Sequence, residues 1–468
     1  MKNFILNTDS YKTSHYLQYP QGAEVVSSYI ESRGGDYAET LFFGLQAYIK
    51  ETLSQPITAA DIDEAEAILT AHGLPFNRSG WQYILDTYQG YLPIEIQAVA
   101  EGSVVPTGNV LVQVKNTDAN CAWLTSYIET SLLRAIWYPT TVATVSKSCK
   151  NIIARYLEET ADNSDGLAFK LHDFGARGAS SEESAALGGA AHLINFMGTD
   201  TLSGLMAARR YYGAQMAGFS IPAAEHSTIT SWGKDGESAA YANMLAQFGK
   251  EGQPVAVVSD SYDLWNAIDN IWGDELKVQV QQMGGVLVVR PDSGVPVEVV
   301  PEALERLMAK FGYRTNSKGY RVLPDYIRLI QGDGVSVKSI EAILEVLKQR
   351  GISAENIAFG MGGELLQKVN RDTQKFAMKA SAIQINGQWR DVFKDPITDP
   401  GKRSKRGRLA LIATETGYRT IPEQELKGRE NQLQTVYRNG ELLVEWDFDQ
   451  IRARSEAPVA VELQDSAA

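Results

Sequence analysis

Beyond Gly166 the chain settles into a repeating rhythm, in which short apolar runs ending in polar residues or glycine alternate with amphipathic helical segments, about 30 to 40 residues to a unit. The runs lie at 168–172, 219–223, 255–259, 286–290, 326–331 and 357–360, with a seventh expected near 192–196. Most are apolar at successive positions instead of alternate ones. That is the pattern of parallel strands covered on both faces, so the spacing predicts an α/β, barrel-like βα domain.

The flanking segments read differently. The pattern predicts a helix over 60–71 and strands over 92–99 and 110–114. Helical spacing follows from 123 to 160, and Pro139, which lacks an N–H and crowds the preceding turn, is expected to divide it into two helices. After Lys375 the alternation typical of antiparallel strands returns in FAMKASAIQING and QWRDVFKDP, joined at the hairpin signal Asn386-Gly387. This tail is expected to rejoin the N-terminal segment. The division predicted is a mixed α+β domain from 1–165 with 376–468, and an α/β-barrel catalytic domain over 166–375.

Composition narrows the class. A chain of 468 residues with 44% hydrophobic residues can bury a full core and suits two domains. Cys121 and Cys149 are too few for a disulfide framework, and the start MKNFILNTDSYK has no secretory pattern, so a cytoplasmic location is expected. No apolar stretch approaches the roughly 20 residues of a membrane helix. A formal net charge of −13 argues against general affinity for nucleic acid or anionic membrane.

In a βα barrel the ligand site lies at the carboxyl ends of the strands. Here those ends carry Asp173, Phe174 and Arg177; Glu225 and His226; Asp260 and Asp263; Arg290 and Asp292; Gly332 and Asp333; and Gly360, Gly362 and Gly363. Singly, each reads as a helix cap, an ion-pair partner or a turn. Together, carboxylates and arginines suit a magnesium-bound, phosphorylated sugar better than a structural rim. GDG at Gly332 and GMGG at Gly360 each open a helix and can bring bare amides against phosphate. His226, between Glu225 and Ser227, is a candidate nucleophile or acid-base group. The basic run of Lys394, Lys402, Arg403, Lys405, Arg406 and Arg408 is either a solvated loop or an attractor for pyrophosphate. The five histidines form no HxH or HExxH pattern, which disfavours a metal-dependent barrel hydrolase. Read from the residues alone, the chain is a barrel enzyme acting on a phosphorylated, metal-bound substrate.

The segments TDSYKTSHYLQYP, KLHDFGARG, NFMGTDT, IPAAEHSTITSWGKD, VVSDSYD, RPDSG, IQGDG and FKDPITDPGKRSKRGRL resemble the nicotinamide branch of the nicotinate/nicotinamide phosphoribosyltransferase family, from about Thr8 to Arg452. The resemblance implies a type II phosphoribosyltransferase that joins nicotinamide to phosphoribosyl pyrophosphate in NAD salvage. It implies a homodimer in which Asp9, Tyr11, Arg371, Lys379 and Lys394 of one chain complete the partner's barrel site. Phe174 and the second subunit's Tyr11 would sandwich the pyridine ring, and Asp200 would accept from the carboxamide nitrogen while repelling nicotinate. Arg290 would lie near the amide oxygen and pyrophosphate, Asp292 and Asp333 would hold ribose hydroxyls, and Asp260 with Asp292 would keep Mg2+ close. Gly362, Gly363 and Arg371 fit the 5′-phosphate, and Arg33, Arg177, Lys379 and Lys394 the pyrophosphate. His226 would be phosphorylated by ATP, its ring positioned by Asp260 and Glu225. Two positions depart from the pattern: Ala176 stands where relatives can carry a bulky aromatic, and Ala377 where they can carry a phosphate-binding serine. The alternatives are a nicotinate phosphoribosyltransferase, which Asp200 disfavours, and a non-catalytic signalling protein.

Overall fold

Residues 3–398, 403–415 and 417–457 are described by the computed structural model, and the chain divides into two compact units. One comprises Val145–Met206 and Gln215–Val369; the other comprises Met1–Thr144, Ala207–Ala214 and Asn370–Ala468. These boundaries differ from 165 and 376. The first falls inside the helix Glu129–Thr160. Residues 207–214 group with the terminal segments because the Tyr211 carbonyl accepts from Gln46 Nε2 and Lys50 Nζ (2.8 Å each) and the Tyr212 hydroxyl donates to Glu101 (2.9 Å).

The first unit is built on six parallel strands: β1 (Leu171–Asp173), β2 (Gly198–Thr199), β3 (Pro254–Val258), β4 (Val286–Arg290), β5 (Ile327–Gln331) and β6 (Ile357–Met361), in the order β2-β1-β6-β5-β4-β3. Four of the apolar runs fall on β3 to β6. The run at 168–172 yields only the short β1, since Leu167–Phe169 forms a 3-10 turn. The run at 219–223 makes isolated parallel bridges, Phe219 to Gly198 and Ala223 to Ala256. It thereby joins the two edge strands, and the sheet closes on itself with no free edge there. The seventh strand expected at 192–196 is absent: His192 ends the helix Glu182–His192, where its Nδ1 lies 3.0 Å from Ser146 Oγ, and β2 begins only at Gly198. Inside the sheet, Ala256, Val288 and Ile330 form a buried cluster against Ile221, Val286, Ala358 and Phe174.

The second unit carries an antiparallel seven-stranded sheet, ordered Gln388–Asp391, Phe376–Ile385, Ala23–Ser32, Val110–Asn116, Ile94–Ala98, Gln434–Arg438, Glu441–Leu442. The C-terminal tail thus pairs with the N-terminal strand, and Asn386 (φ 47°) and Gly387 (φ 76°) form its hairpin turn. A single helix, Glu129–Thr160, replaces the two expected around Pro139. The proline leaves the Ala135 carbonyl without its helical donor. Gly44 (φ +107°) packs at that point, so closely that a Cβ would lie 2.4 Å from Pro139 Cγ and 3.1 Å from the Ala135 oxygen. Thr140 Oγ1 accepts from Phe43 N (3.2 Å) and donates to Phe43 O (3.1 Å), bracing the interrupted turn from outside. Among the described residues, no helix is long and apolar enough to cross a membrane.

Candidate active site at the carboxyl ends of the barrel strands

Phe174 follows β1 directly, and its N–H donates to Met361 O (2.9 Å), which extends the strand pairing by one residue. The ring lies across the ends of β5 and β6. A Cβ on Gly360 would fall 1.9 Å from its Cε2, and one on Gly332 would fall 3.2 Å away. Glycine at 360 therefore makes space for an aromatic ring, a role distinct from the phosphate contact its GMGG setting suggests.

Beside this ring, β2 delivers Asp200. Its N–H is held by the Asp173 carbonyl (2.9 Å), and its Oδ1 accepts from His172 Nε2 (2.9 Å) and Ser220 Oγ (2.5 Å). Burial raises the Asp200 pKa, but the hydrogen bonds from His172 and Ser220 and the charges of His172 and Arg290 outweigh it and hold the carboxyl below the usual aspartate range. The neighbouring Asp173 is the opposite case. It is fully buried, and burial pushes its carboxyl up to about 6 even though Oδ1 accepts from Gly175 N (2.7 Å).

A second cluster forms at the ends of β3 and β4. His226 opens the short helix His226–Thr230, with Nδ1 3.2 Å from Ser261 Oγ and Nε2 3.7 Å from Asp260 Oδ1 and 3.4 Å from Asp292 Oδ2. Asp260 Oδ2 accepts from Asp292 N (2.9 Å) and Ser293 Oγ (2.5 Å), so one carboxylate fixes the next loop. Arg290 donates to Asp292 Oδ2 (3.1 Å). Two atoms of this cluster, Asp260 Oδ1 and Arg290 Nε, are buried without a hydrogen-bond partner among the described residues. Glu225 is placed elsewhere than on the imidazole: it accepts from Ser227 Oγ, and its N–H bonds Thr228 Oγ1 (3.2 Å), which makes it a helix cap. Asp263 is also a cap, accepting from Trp265 N and Asn266 N at 3.0 Å each.

Among the described residues there is no group of three or more His, Cys, Asp or Glu able to hold a metal. Two carboxylates, one with an orphaned buried oxygen, nevertheless fit Mg2+, which commonly takes one or two carboxylates and completes its shell from water and substrate phosphate.

The remaining strand ends are more open. Arg177 lies exposed in the turn Ala176–Gly178, and Gly362 and Gly363 start the four-residue helix Gly363–Leu366. Asp333 is exposed, and its carbonyl accepts from the buried Gln331 Nε2 (2.7 Å).

Asp9, Tyr11, Arg33, Arg371, Lys379 and Lys394 belong to the other unit. There Lys379, on the strand Phe376–Ile385, has its pKa lowered by burial, opposed by Glu129, and lowered further by Arg33, Lys394 and Lys12. Arg33 and Lys394 therefore lie near Lys379, and Lys12 beside them is buried and paired with Glu129 (2.6 Å). Arg33 Nε lies 3.3 Å from Glu31 Oε1, and its NH2 is buried without a hydrogen-bond partner among the described residues. The stem of the basic run is tied down: Lys394 N bonds Ser404 Oγ (2.9 Å), Lys405 N bonds Tyr29 Oη (2.9 Å), and Lys405 Nζ pairs with Glu31. Arg408 pairs with Glu423 (3.0 Å), so part of the run is structural; Lys402 lies outside the described residues. Arg371 is exposed beside Asp372 (3.1 Å). Asp9 accepts from Thr130 Oγ1 (2.7 Å), and Tyr11 is 58% exposed, its ring 5.2 Å from that of His15.

The sequence profile described as the nicotinate phosphoribosyltransferase (NAPRTase) family matches residues 169–441, which include every barrel residue of both clusters. The chain belongs to the nicotinate phosphoribosyltransferase family. The nicotinamide phosphoribosyltransferase N-terminal domain profile matches residues 3–96. Among relatives of this family, the nicotinamide phosphoribosyltransferase of Xanthomonas campestris pv. campestris is 55% identical over 464 residues, 98% of this chain and 99% of that one. That of Acinetobacter baylyi is 33% identical, covering 95% of each chain. The fold is shared with the nicotinate-nucleotide pyrophosphorylase of Pyrococcus furiosus (TM-score 0.62, 16% identity, 97% and 95% of the two chains). It is shared also with human nicotinic acid phosphoribosyltransferase (TM-score 0.60, 16% identity, 96% and 92%).

Four residues of the nicotinate phosphoribosyltransferase barrel are not marked by any sequence spacing: His172, Ser220, Ser261 and Ser293. Their partners Asp200, His226 and Asp260 lie 20 to 35 residues away. The only signal is position: His172, Ser261 and Ser293 stand within three residues of a strand end, and Ser220 lies in the bridging segment 219–223.

Proposed function

We propose that this enzyme is a nicotinamide phosphoribosyltransferase, in which the pyridine nitrogen of nicotinamide bonds to C1 of phosphoribosyl pyrophosphate as the C1–O bond to pyrophosphate breaks. The observation that carries this reading is Asp200, a carboxylate kept ionised by two donors beside an aromatic ring. It can accept from a carboxamide N–H and repels the carboxylate of nicotinate. The relatives that bear this activity by name support it.

Phe174 supplies one face for the pyridine, and Arg290 lies between the base and the pyrophosphate. Asp260 and Asp292 would hold Mg2+, which when bound neutralises the leaving pyrophosphate. Asp292 and Asp333 take ribose hydroxyls and stabilise the positive charge that develops at C1. Gly362 and Gly363 offer backbone N–H groups to the 5′-phosphate, and Arg177 offers its charge.

The reading extends to a cytoplasmic homodimer in which Asp9, Tyr11, Arg33, Arg371, Lys379 and Lys394 of one chain serve the barrel of the other. The gathering of Arg33 and Lys394 near Lys379 supports a polyanion site on this unit. ATP enters as co-substrate: a ring nitrogen of His226 attacks its γ-phosphorus and ADP leaves. The nearness of both ring nitrogens to Ser261, Asp260 and Asp292 supports this role.

The test is mononucleotide formation from phosphoribosyl pyrophosphate and Mg2+, with nicotinamide and nicotinate offered in parallel, with and without ATP. Preference for nicotinamide, with ATP stimulation that vanishes in His226→Ala, is expected. Preference for nicotinate would overturn the assignment. Equal ATP stimulation in His226→Ala would overturn the phosphohistidine step alone.

A further inference from the structure

Asp200 is bound in a lopsided way. His172 Nε2 (2.9 Å) and Ser220 Oγ (2.5 Å) both donate to Oδ1, and Oδ2 accepts from no described residue. Two donors on one oxygen fix the rotation of the carboxylate and spend the lone pairs of that oxygen. They leave the other for a ligand donor. The imidazole is itself held firmly: its side chain is only 13% exposed, its ring centroid is 5.2 Å from that of Phe174, and a Cβ on Gly198 would come within 2.7 Å of Nδ1. In either protonation state Nε2 carries the hydrogen, because it faces a carboxylate oxygen. His172 is thus tied at once to the ring that stacks the base and to the carboxylate that reads its substituent.

We infer that His172 is a positioning residue, seconded by Ser220, that sets the choice of pyridine by turning Asp200 so that Oδ2 alone is left to accept from a carboxamide N–H. This rests on the proposed nicotinamide activity and extends it to residues that do not touch the reacting atoms. Without the two donors the carboxylate rotates, gains protons more readily, and loses its preference for an amide over an acid. Stacking of the ring and binding of the sugar phosphate are untouched.

The experiment compares the full-length wild type with His172→Phe, His172→Gln and Ser220→Ala, measuring KM and kcat for nicotinamide and for nicotinate at saturating Mg2+ and phosphoribosyl pyrophosphate. Gln places an amide nitrogen near the position of Nε2, whereas Phe keeps the packing and removes the donor. His172→Phe is expected to raise the nicotinamide KM by about tenfold, His172→Gln to stay within about threefold of wild type, and Ser220→Ala to fall between, as suits loss of one charge-assisted hydrogen bond. The KM for phosphoribosyl pyrophosphate should hold in all three. Ser220 is exposed, so Ser220→Ala folds even if a change at 172 does not. Equal losses in His172→Phe and His172→Gln would reduce the role to packing and overturn the inference, as would an unchanged nicotinamide KM in both His172→Phe and Ser220→Ala. A wild type that prefers nicotinate would instead overturn the activity on which the inference rests.

Discussion

The Phe174 ring fills the space that a side chain at Gly360 would need, with its Cε2 only 1.9 Å from where a Cβ would stand. The glycine at the end of β6 and the aromatic after β1 form one device, and neither works alone. Gly360→Ala is expected to expel the ring. The nicotinamide KM should rise at least about tenfold, and overpacking should cost about 1–3 kcal/mol of stability, read by chemical denaturation. A wild-type KM in this variant would remove Phe174 from the base pocket.

Asp173 imposes a pH dependence on stability. Its pKa in the folded chain, about 6, lies above the 3.8 of an ordinary aspartate because the carboxyl is buried. The folded state therefore binds the proton more tightly, and the stability this provides is full below about pH 4 and lost as pH rises through 6. Asp173→Asn does not titrate. Its unfolding free energy relative to wild type should improve by about 3 kcal/mol between pH 4 and pH 7, the equivalent of a shift of about two pH units. A pH-independent difference would show that the carboxyl is not strained by burial.

Asp260 joins two strand ends through one oxygen and leaves the other without a hydrogen-bond partner among the described residues. Asp260→Asn keeps an acceptor for Asp292 N but removes the charge that attracts a cation. The Mg2+ concentration for half-maximal activity should rise about tenfold, with the thermal midpoint nearly unchanged. An unaltered Mg2+ dependence would leave Asp260 a purely structural brace.

The shared-site proposal predicts complementation. Tyr11→Ala impairs the residue lent to a second subunit, and Asp292→Ala impairs the barrel that receives it. Co-refolded in equal amounts, half of the dimers are mixed and each mixed dimer holds one intact site, so about a quarter of wild-type activity should return. No recovery would mean that Tyr11 serves its own chain.

The barrel was legible because parallel strands buried on both faces write continuous apolar runs, as at 255–259 and 286–290. The loop chemistry was legible where single residues follow such a run, as with Asp260 and Asp292. Contacts set by distant partners were not. Pro139 stays within a helix because Gly44 and Thr140 brace the broken turn, and no local pattern announces that. The segment 219–223 bridges two strands one residue at a time, too briefly to form a ladder. Glu225 is spent on capping a short helix, and Ser261 takes the place beside the imidazole. His172 is invisible for the same reason: it matters through Asp200, 28 residues away.

The central claim is that an ionised Asp200 selects an amide over an acid. The most direct measurement is the ratio of kcat/KM for nicotinamide to that for nicotinate, in wild type and in Asp200→Asn. Wild type should favour nicotinamide strongly, and Asp200→Asn should lose most of that preference, the ratio falling by about a hundredfold as the repulsion disappears and an amide donor replaces it. A ratio that stays the same in the variant would contradict the account.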